Sequence, residues 1–165
     1  MNILFVCTGN TCRSPMAEGL FKDMLKKNNI DYINVSSAGL NAFPEEYANE
    51  KAIKALKEKG IDITMHRARQ LLEEINKADL VLTMTLSHKL AIENYFKHKT
   101  NETSLCLPCL FTLKEFAAKL SGEELTGSDI NDPYGRDYSF YKKSRDEIEK
   151  ELIKILKNLD KLEEI

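Results

Sequence analysis

An α/β fold with a parallel sheet covered on both faces is predicted by three features of the sequence. Residues 3–7 (ILFVC) and 80–84 (LVLTM) are short unbroken apolar runs, the pattern of strands buried on both sides. Apolar residues at helical spacing follow, as at Met16, Leu20, Phe21, Met24 and Leu25. Strand and helix signals then alternate along the chain, which sets helices over both faces of a parallel sheet.

The first strand, 3–7, leads through a loop into a helix with Ser14 as expected N-cap and Pro15 as expected first residue. A second strand is expected at 32–36 (YINVS), followed by a loop at 40–45 that carries Phe43 and Pro44. A helix is expected from 46 to 59, stopped by Gly60. Next come a short helix at 69–77, the strand at 80–84, a helix at 86–96 and a fourth strand near 103–107. The last helix is the clearest, with Ile148, Leu152, Ile155, Leu159 and Leu162 on one stripe and Glu and Lys on the other faces. Tyr138 and Tyr141 at its start read as packing residues. The longest irregular segment is 118–137, and a long loop in a compact domain is often functional. No repeat, low-complexity tract or linker interrupts the chain, so residues 1–165 read as one domain.

The 165 residues suffice to bury a core. A net charge of −2 gives no basic field for nucleic acid or an anionic membrane surface. No apolar run approaches the ~20 residues of a membrane span. The start, MNILFVC, lacks the pattern of a secretion signal, so a cytoplasmic protein is expected, with a monomer as the default state. Cys7, Cys12, Cys106 and Cys109 are then better read as free or reactive thiols than as two disulfides. Cys106-Leu-Pro-Cys109 lacks the second pair that zinc would want and reads as two buried small residues beside a proline turn.

Chemistry concentrates in residues 7–15, CTGNTCRSP. Ligands of parallel α/β sheets bind outside the carboxyl ends of the strands, where Cys7 stands. The loop behind it can turn successive N–H groups inward around an anion, with Gly9 supplying backbone freedom. The helix start adds partial positive charge, and Arg13 can offer a bidentate fork to a tetrahedral oxyanion. The same field favours the thiolate, the nucleophilic form of cysteine. A nucleophile in a phosphate cradle points to attack of sulfur on phosphorus and a phosphocysteine intermediate. That scheme needs one carboxylate to protonate the leaving group and then activate water, and Asp132 in NDPYGRDY is the candidate. The alternative is that Asp132 only shapes an Asp-Pro turn. Cys12 shares the loop with Cys7, within reach of a disulfide under oxidation.

CTGNTCRSP with the following MAEGLF, the SAG at 37–39 and the distal DPYG at 132–135 together resemble the low-molecular-weight protein tyrosine phosphatase family, in order and spacing across nearly the whole chain. The resemblance implies a four-stranded parallel sheet with helices on both faces, in flavodoxin-like layering, and neither metal nor other cofactor. It assigns Cys7 as nucleophile, Arg13 as phosphate and transition-state ligand, and Asp132 as general acid/base. Thr8, Gly9, Asn10, Thr11, Cys12 and Ser14 become the phosphate-binding loop, with Tyr134 at the substrate wall and the Ser14 hydroxyl beside the leaving thiolate. Ser37 and His66 resemble the family's supporting partners of Asn10. Phosphorylated proteins are the implied substrates.

Thr11 holds a place where tyrosine-specific members carry Ile or Leu. Its hydroxyl can accept a hydrogen bond from a guanidinium N–H, whereas an aliphatic wall suits a phenyl ring. CTGNTCRSP thus resembles the branch that hydrolyses phosphoarginine on proteins. Gly135, where a second aromatic often follows Asp-Pro, and FTLKEF at 111–116 agree with that branch. A phosphoarginine phosphatase is therefore expected, with a tyrosine phosphatase of the same family as the alternative. A non-catalytic phosphate-binding module is the further alternative, although such a module would need neither Cys7 nor Asp132. Arsenate reduction is improbable, because the cysteines that branch carries after the third strand are absent from LVLTMTLSHKL. Phe43 and Tyr47 fall where the family has a variable loop beside the pocket, and read equally as substrate contacts or as core.

Overall fold

The computed structural model describes residues 1–99 and 109–164. Four parallel strands are present among these residues: β1 (Asn2–Cys7), β2 (Asn34–Gly39), β3 (Leu80–Thr83) and β4 (Cys109–Thr112), in the order β2-β1-β3-β4. The strand expected near 103–107 lies outside the described residues. Alternate residues of β1 feed two separate cores, as a strand buried on both faces must. Ile3, Phe5 and Cys7 face a core shared with α1 (Arg13–Lys27), α2 (Glu50–Lys57), α5 (Leu113–Ser121) and α6 (Tyr138–Leu156). Leu4 and Val6 face a smaller core with α3 (Leu71–Glu74) and α4 (Leu86–Lys99), closed by Leu71, Ile75, Ile92 and Phe96. The α/β fold expected from the sequence is therefore the fold observed.

Helix ends differ from expectation for identifiable reasons. Asn49 caps α2 by accepting from the Lys51 N–H at 2.9 Å, so the helix begins at Glu50 rather than at 46. Residues 45–47 pair with 67–68 instead: Glu45 N–H donates to Ala68 O, Ala68 N–H donates to Glu46 O, and Tyr47 bridges Arg67. Gly60 does follow the helix in the left-handed region, at φ 76°. Helix α5 enters the segment expected to be irregular from residue 118, and a capping box between Thr112 and Glu115 starts it. The final stripe packs as expected, with Ile148, Leu152 and Ile155 fully buried. Cys109 is exposed rather than buried.

Two neighbours of β1 set the place of the site. The chain leaves β1 towards β2 on one side, and β3 pairs on the other, so the strand order reverses at the carboxyl end of β1. Cys7 is the last residue of β1.

Candidate active site

The loop from Cys7 to Arg13 wraps the carboxyl end of β1 and runs into α1. Its shape depends on Gly39, at the end of β2. A Cβ on residue 39 would stand 2.6 Å from the Thr8 carbonyl oxygen and 2.9 Å from the Asn10 nitrogen. The SAG motif is thus a close approach of two backbones that only glycine permits. The left-handed residue of the loop is Asn10, at φ 56°, and not Gly9. Asparagine tolerates that region, and its side chain is used there. Asn10 Nδ2 donates to Ser14 Oγ at 2.9 Å and to Ser37 Oγ at 2.8 Å, while its Oδ1 accepts from the Arg69 N–H at 2.9 Å. His66 Nε2 donates to the Asn10 carbonyl at 2.8 Å, and burial holds the His66 pKa down. The sequence-expected pair Ser37 and His66 therefore does meet Asn10.

Ser14 is not the N-cap. Cys12 occupies that position without a side-chain cap, and Ser14 lies in the first turn of α1. Its hydroxyl is instead 3.0 Å from Cys7 Sγ, and the Asn10 N–H donates to the same sulfur at 3.3 Å. The uncapped first turn leaves helix N–H groups available to an anion.

Cys7, Thr8, Gly9, Thr11, Cys12 and Arg13 line one cavity of about 260 Å³. Asp132 and Tyr134 close it from the distal loop, and Asn41, Phe43 and Glu46 close it from the loop after β2. Asn10, Ser14, Ser37 and His66 stand behind it as the network that holds the loop. Arg13, almost fully buried, donates through Nη2 to Asp132 Oδ2 at 2.7 Å and through Nη1 to the Ile130 carbonyl at 3.2 Å. Asp132 Oδ1 accepts from the Tyr134 N–H at 3.1 Å, so this residue shapes its turn and also faces the arginine. The distal loop is pinned just before Asp132, by Ile130 N–H to Met84 O at 2.8 Å and by Ser144 Oγ–H to Asn131 O at 2.8 Å.

Cys12 is buried, 3.6 Å from the Tyr141 hydroxyl, and burial pushes both the Cys12 thiol and the Tyr141 phenol up in pKa. Cys7 and Cys12 are both free thiols. Phe43 is exposed at the cavity rim and is not a core residue. Tyr47 is also exposed, with the Arg67 guanidinium 3.6 Å from its ring centre. Gly135 has φ 72°, the left-handed region that glycine adopts without strain, so the turn itself favours glycine there.

Three participants carry no sequence signal. Glu18, on α1, accepts from Ser37 Oγ at 2.5 Å and from Arg69 at 3.2 Å, extending the network behind Asn10. Glu46 reaches the cavity from a stretch that reads as helix. His88, on α4, brings Nε2 within 2.9 Å of Thr8 Oγ1 in the loop itself. Burial, reinforced by the Arg13 charge, pushes the His88 pKa down to about 4.

A buried cysteine whose sulfur meets a hydroxyl and a backbone N–H, set in an anion-binding loop with an arginine and a facing carboxylate, defines a cysteine-dependent phosphatase site. The family model of low molecular weight phosphotyrosine protein phosphatase matches residues 2–164, and the chain belongs to that family. It is 42% identical to the protein-arginine-phosphatase of Bacillus subtilis over 162 residues, covering 98% of each chain. It is 32% identical to a low molecular weight protein-tyrosine-phosphatase of Staphylococcus aureus over 158 residues, covering 94% of this chain and 96% of the other. A solved arginine phosphatase, a cysteine-to-serine mutant with a phosphorylated active-site serine, superimposes with a TM-score of 0.83 at 40% identity, covering 99% of both chains.

Proposed function

We propose that this protein hydrolyses phosphoarginine on protein substrates through a phosphocysteine at Cys7. The observation that carries the chemistry is the pair of hydrogen-bonding groups at Cys7 Sγ, Ser14 Oγ at 3.0 Å and the Asn10 N–H at 3.3 Å, inside a cavity that Arg13 and Asp132 also line. In the first step Cys7 sulfur attacks phosphorus in line and the P–N bond breaks. Asp132 gives its proton to the departing guanidino nitrogen. Arg13 and the loop amides hold the equatorial oxygens as charge spreads over them. In the second step Asp132 takes a proton from water, the water oxygen attacks phosphorus, and the S–P bond breaks. The thiolate leaves towards the Ser14 hydroxyl and the Asn10 N–H.

Phosphoarginine is preferred because Thr11, a hydroxyl-bearing residue, lines the cavity, and because the 42% identical relative is named a protein-arginine-phosphatase. Gly135 adds no weight, since its backbone conformation accounts for it. Tyr134, 72% exposed at the cavity edge, offers a flat face to an aryl phosphate, which supports secondary activity on phosphotyrosine. The test is phosphate release from a phosphoarginine peptide by wild type and Cys7→Ser. Release that disappears in Cys7→Ser is expected. Release that survives in the variant would contradict the phosphocysteine route.

A further inference from the structure

The cavity holds a carboxylate that phosphate chemistry alone does not call for. Glu46 lines it, opposite a loop built to attract a dianion. Beside a phosphate a carboxylate is repulsive, so an aryl phosphatase gains nothing from one there. Among the described residues Glu46 makes no ion pair and no side-chain hydrogen bond. The nearby cations are engaged elsewhere. Arg67 stacks on Tyr47 and donates to the His66 carbonyl, Arg69 pairs with Glu18, Lys51 donates to the Arg136 carbonyl, and Arg13 meets Asp132.

The backbone around Glu46 is fixed with respect to the phosphate loop. Asn41 N–H donates to Thr8 O at 2.9 Å and Asn49 N–H to Thr11 O at 2.8 Å, tying both ends of the rim segment to the loop. Glu46 itself donates to Phe43 O at 3.2 Å and accepts from Ala68 N–H at 2.8 Å. The residue before it, Glu45, sits in the left-handed region at φ 68°, a conformation non-glycine residues adopt at a cost. The rim thus fixes the backbone of Glu46 beside the phosphate site, with its exposed carboxylate unpaired.

We infer that Glu46 is a specificity-determining residue that accepts hydrogen bonds from the guanidino group of the phosphorylated arginine. This inference rests on the phosphoarginine reading above. A phosphoarginine places, one bond from phosphorus, a planar group with N–H donors and, when protonated, positive charge. Phosphotyrosine offers a ring with neither. With the phosphate on the loop and Arg13, the Thr11 hydroxyl accepts on one wall and the Glu46 carboxylate on another. The exposed ring of Phe43 at the same rim supplies a face on which a guanidinium stacks. The carboxylate therefore attracts the intended substrate and repels aryl phosphates, which gives selectivity in both directions.

The test compares wild type, Glu46→Gln and Glu46→Lys on a phosphoarginine peptide with neutral flanking residues and on a chromogenic aryl phosphate. In Glu46→Gln, kcat/KM on phosphoarginine should fall roughly three- to tenfold, chiefly through KM, while that on the aryl phosphate rises. Glu46→Lys should move both further in the same directions. Damage to the fold lowers both rates together, so the crossing of the two rates is the diagnostic. A common factor on both substrates overturns the inference. Wild type without phosphoarginine activity would overturn the proposed function and this inference together. Wild type with that activity, and a substrate ratio unmoved in Glu46→Gln, overturns the Glu46 role alone.

Discussion

Ser14 Oγ lies 3.0 Å from Cys7 Sγ, although Ser14 belongs to the first turn of α1 and Cys7 ends β1. The contact gives the hydroxyl a role at the sulfur instead of at the helix end. Ser14→Ala should slow the second step most, because the thiolate is the leaving group there. Steady-state kcat should fall roughly tenfold or more, with a burst of leaving group marking accumulated phosphocysteine. Equal losses in the burst and steady-state phases would argue against this role.

Asp132→Asn removes the proton donor while keeping an acceptor for the Tyr134 N–H. On phosphoarginine, kcat should fall about 10²- to 10³-fold. A substrate whose leaving group needs no proton should lose much less. Equal losses on both would assign Asp132 to the turn and to Arg13 alone.

His88 links stability to pH. Its folded pKa is pushed from 6.5 down to about 4, first by burial and then by Arg13, with Asp132 and Asp129 opposing. Below pH 6.5 the unfolded chain takes up a proton that the folded chain refuses. This contribution is therefore complete above pH 6.5 and is lost as pH falls towards 4, by roughly 3 kcal/mol. Urea unfolding of wild type and His88→Gln between pH 7.5 and 4 should show the steeper loss in wild type. His66, shifted down as well, is common to both chains and cancels from the difference. Parallel pH profiles would contradict the assignment.

Gly39→Ala should destabilise the fold by about 2–4 kcal/mol, since the new methyl meets the Thr8 carbonyl at 2.6 Å and the Asn10 nitrogen at 2.9 Å, both backbone atoms. Thermal unfolding measures this. A melting temperature close to wild type would mean that the phosphate loop yields without loss, contrary to the tight pairing described above.

What was legible in the sequence was local. The apolar runs of β1 and β3, the stripe of α6 and the CTGNTCRSP loop each carry their signal within a few consecutive residues. Cys7, Arg13 and Asp132 stand in one cavity as that pattern implies. What escaped depends on contacts between distant segments. Residues 46–49 have helical composition, yet pairing with 67–68 and the Asn49 cap hold them out of α2. Ser14 looks like an N-cap until the sulfur of Cys7 claims its hydroxyl. Gly9 looks like the permissive residue of the loop, but the left-handed turn falls on Asn10, whose side chain is anchored by Ser14, Ser37 and Arg69. His88 and Glu46 are single polar residues in ordinary surroundings, and only the fold brings them to the phosphate loop.

Substrate choice turns most on Thr11, and one measurement addresses it directly. The ratio of kcat/KM on phosphoarginine and phosphotyrosine peptides of the same flanking sequence should favour phosphoarginine in wild type and fall by at least roughly tenfold in Thr11→Ile. A wild-type preference for phosphotyrosine, or a ratio untouched by the substitution, would contradict it.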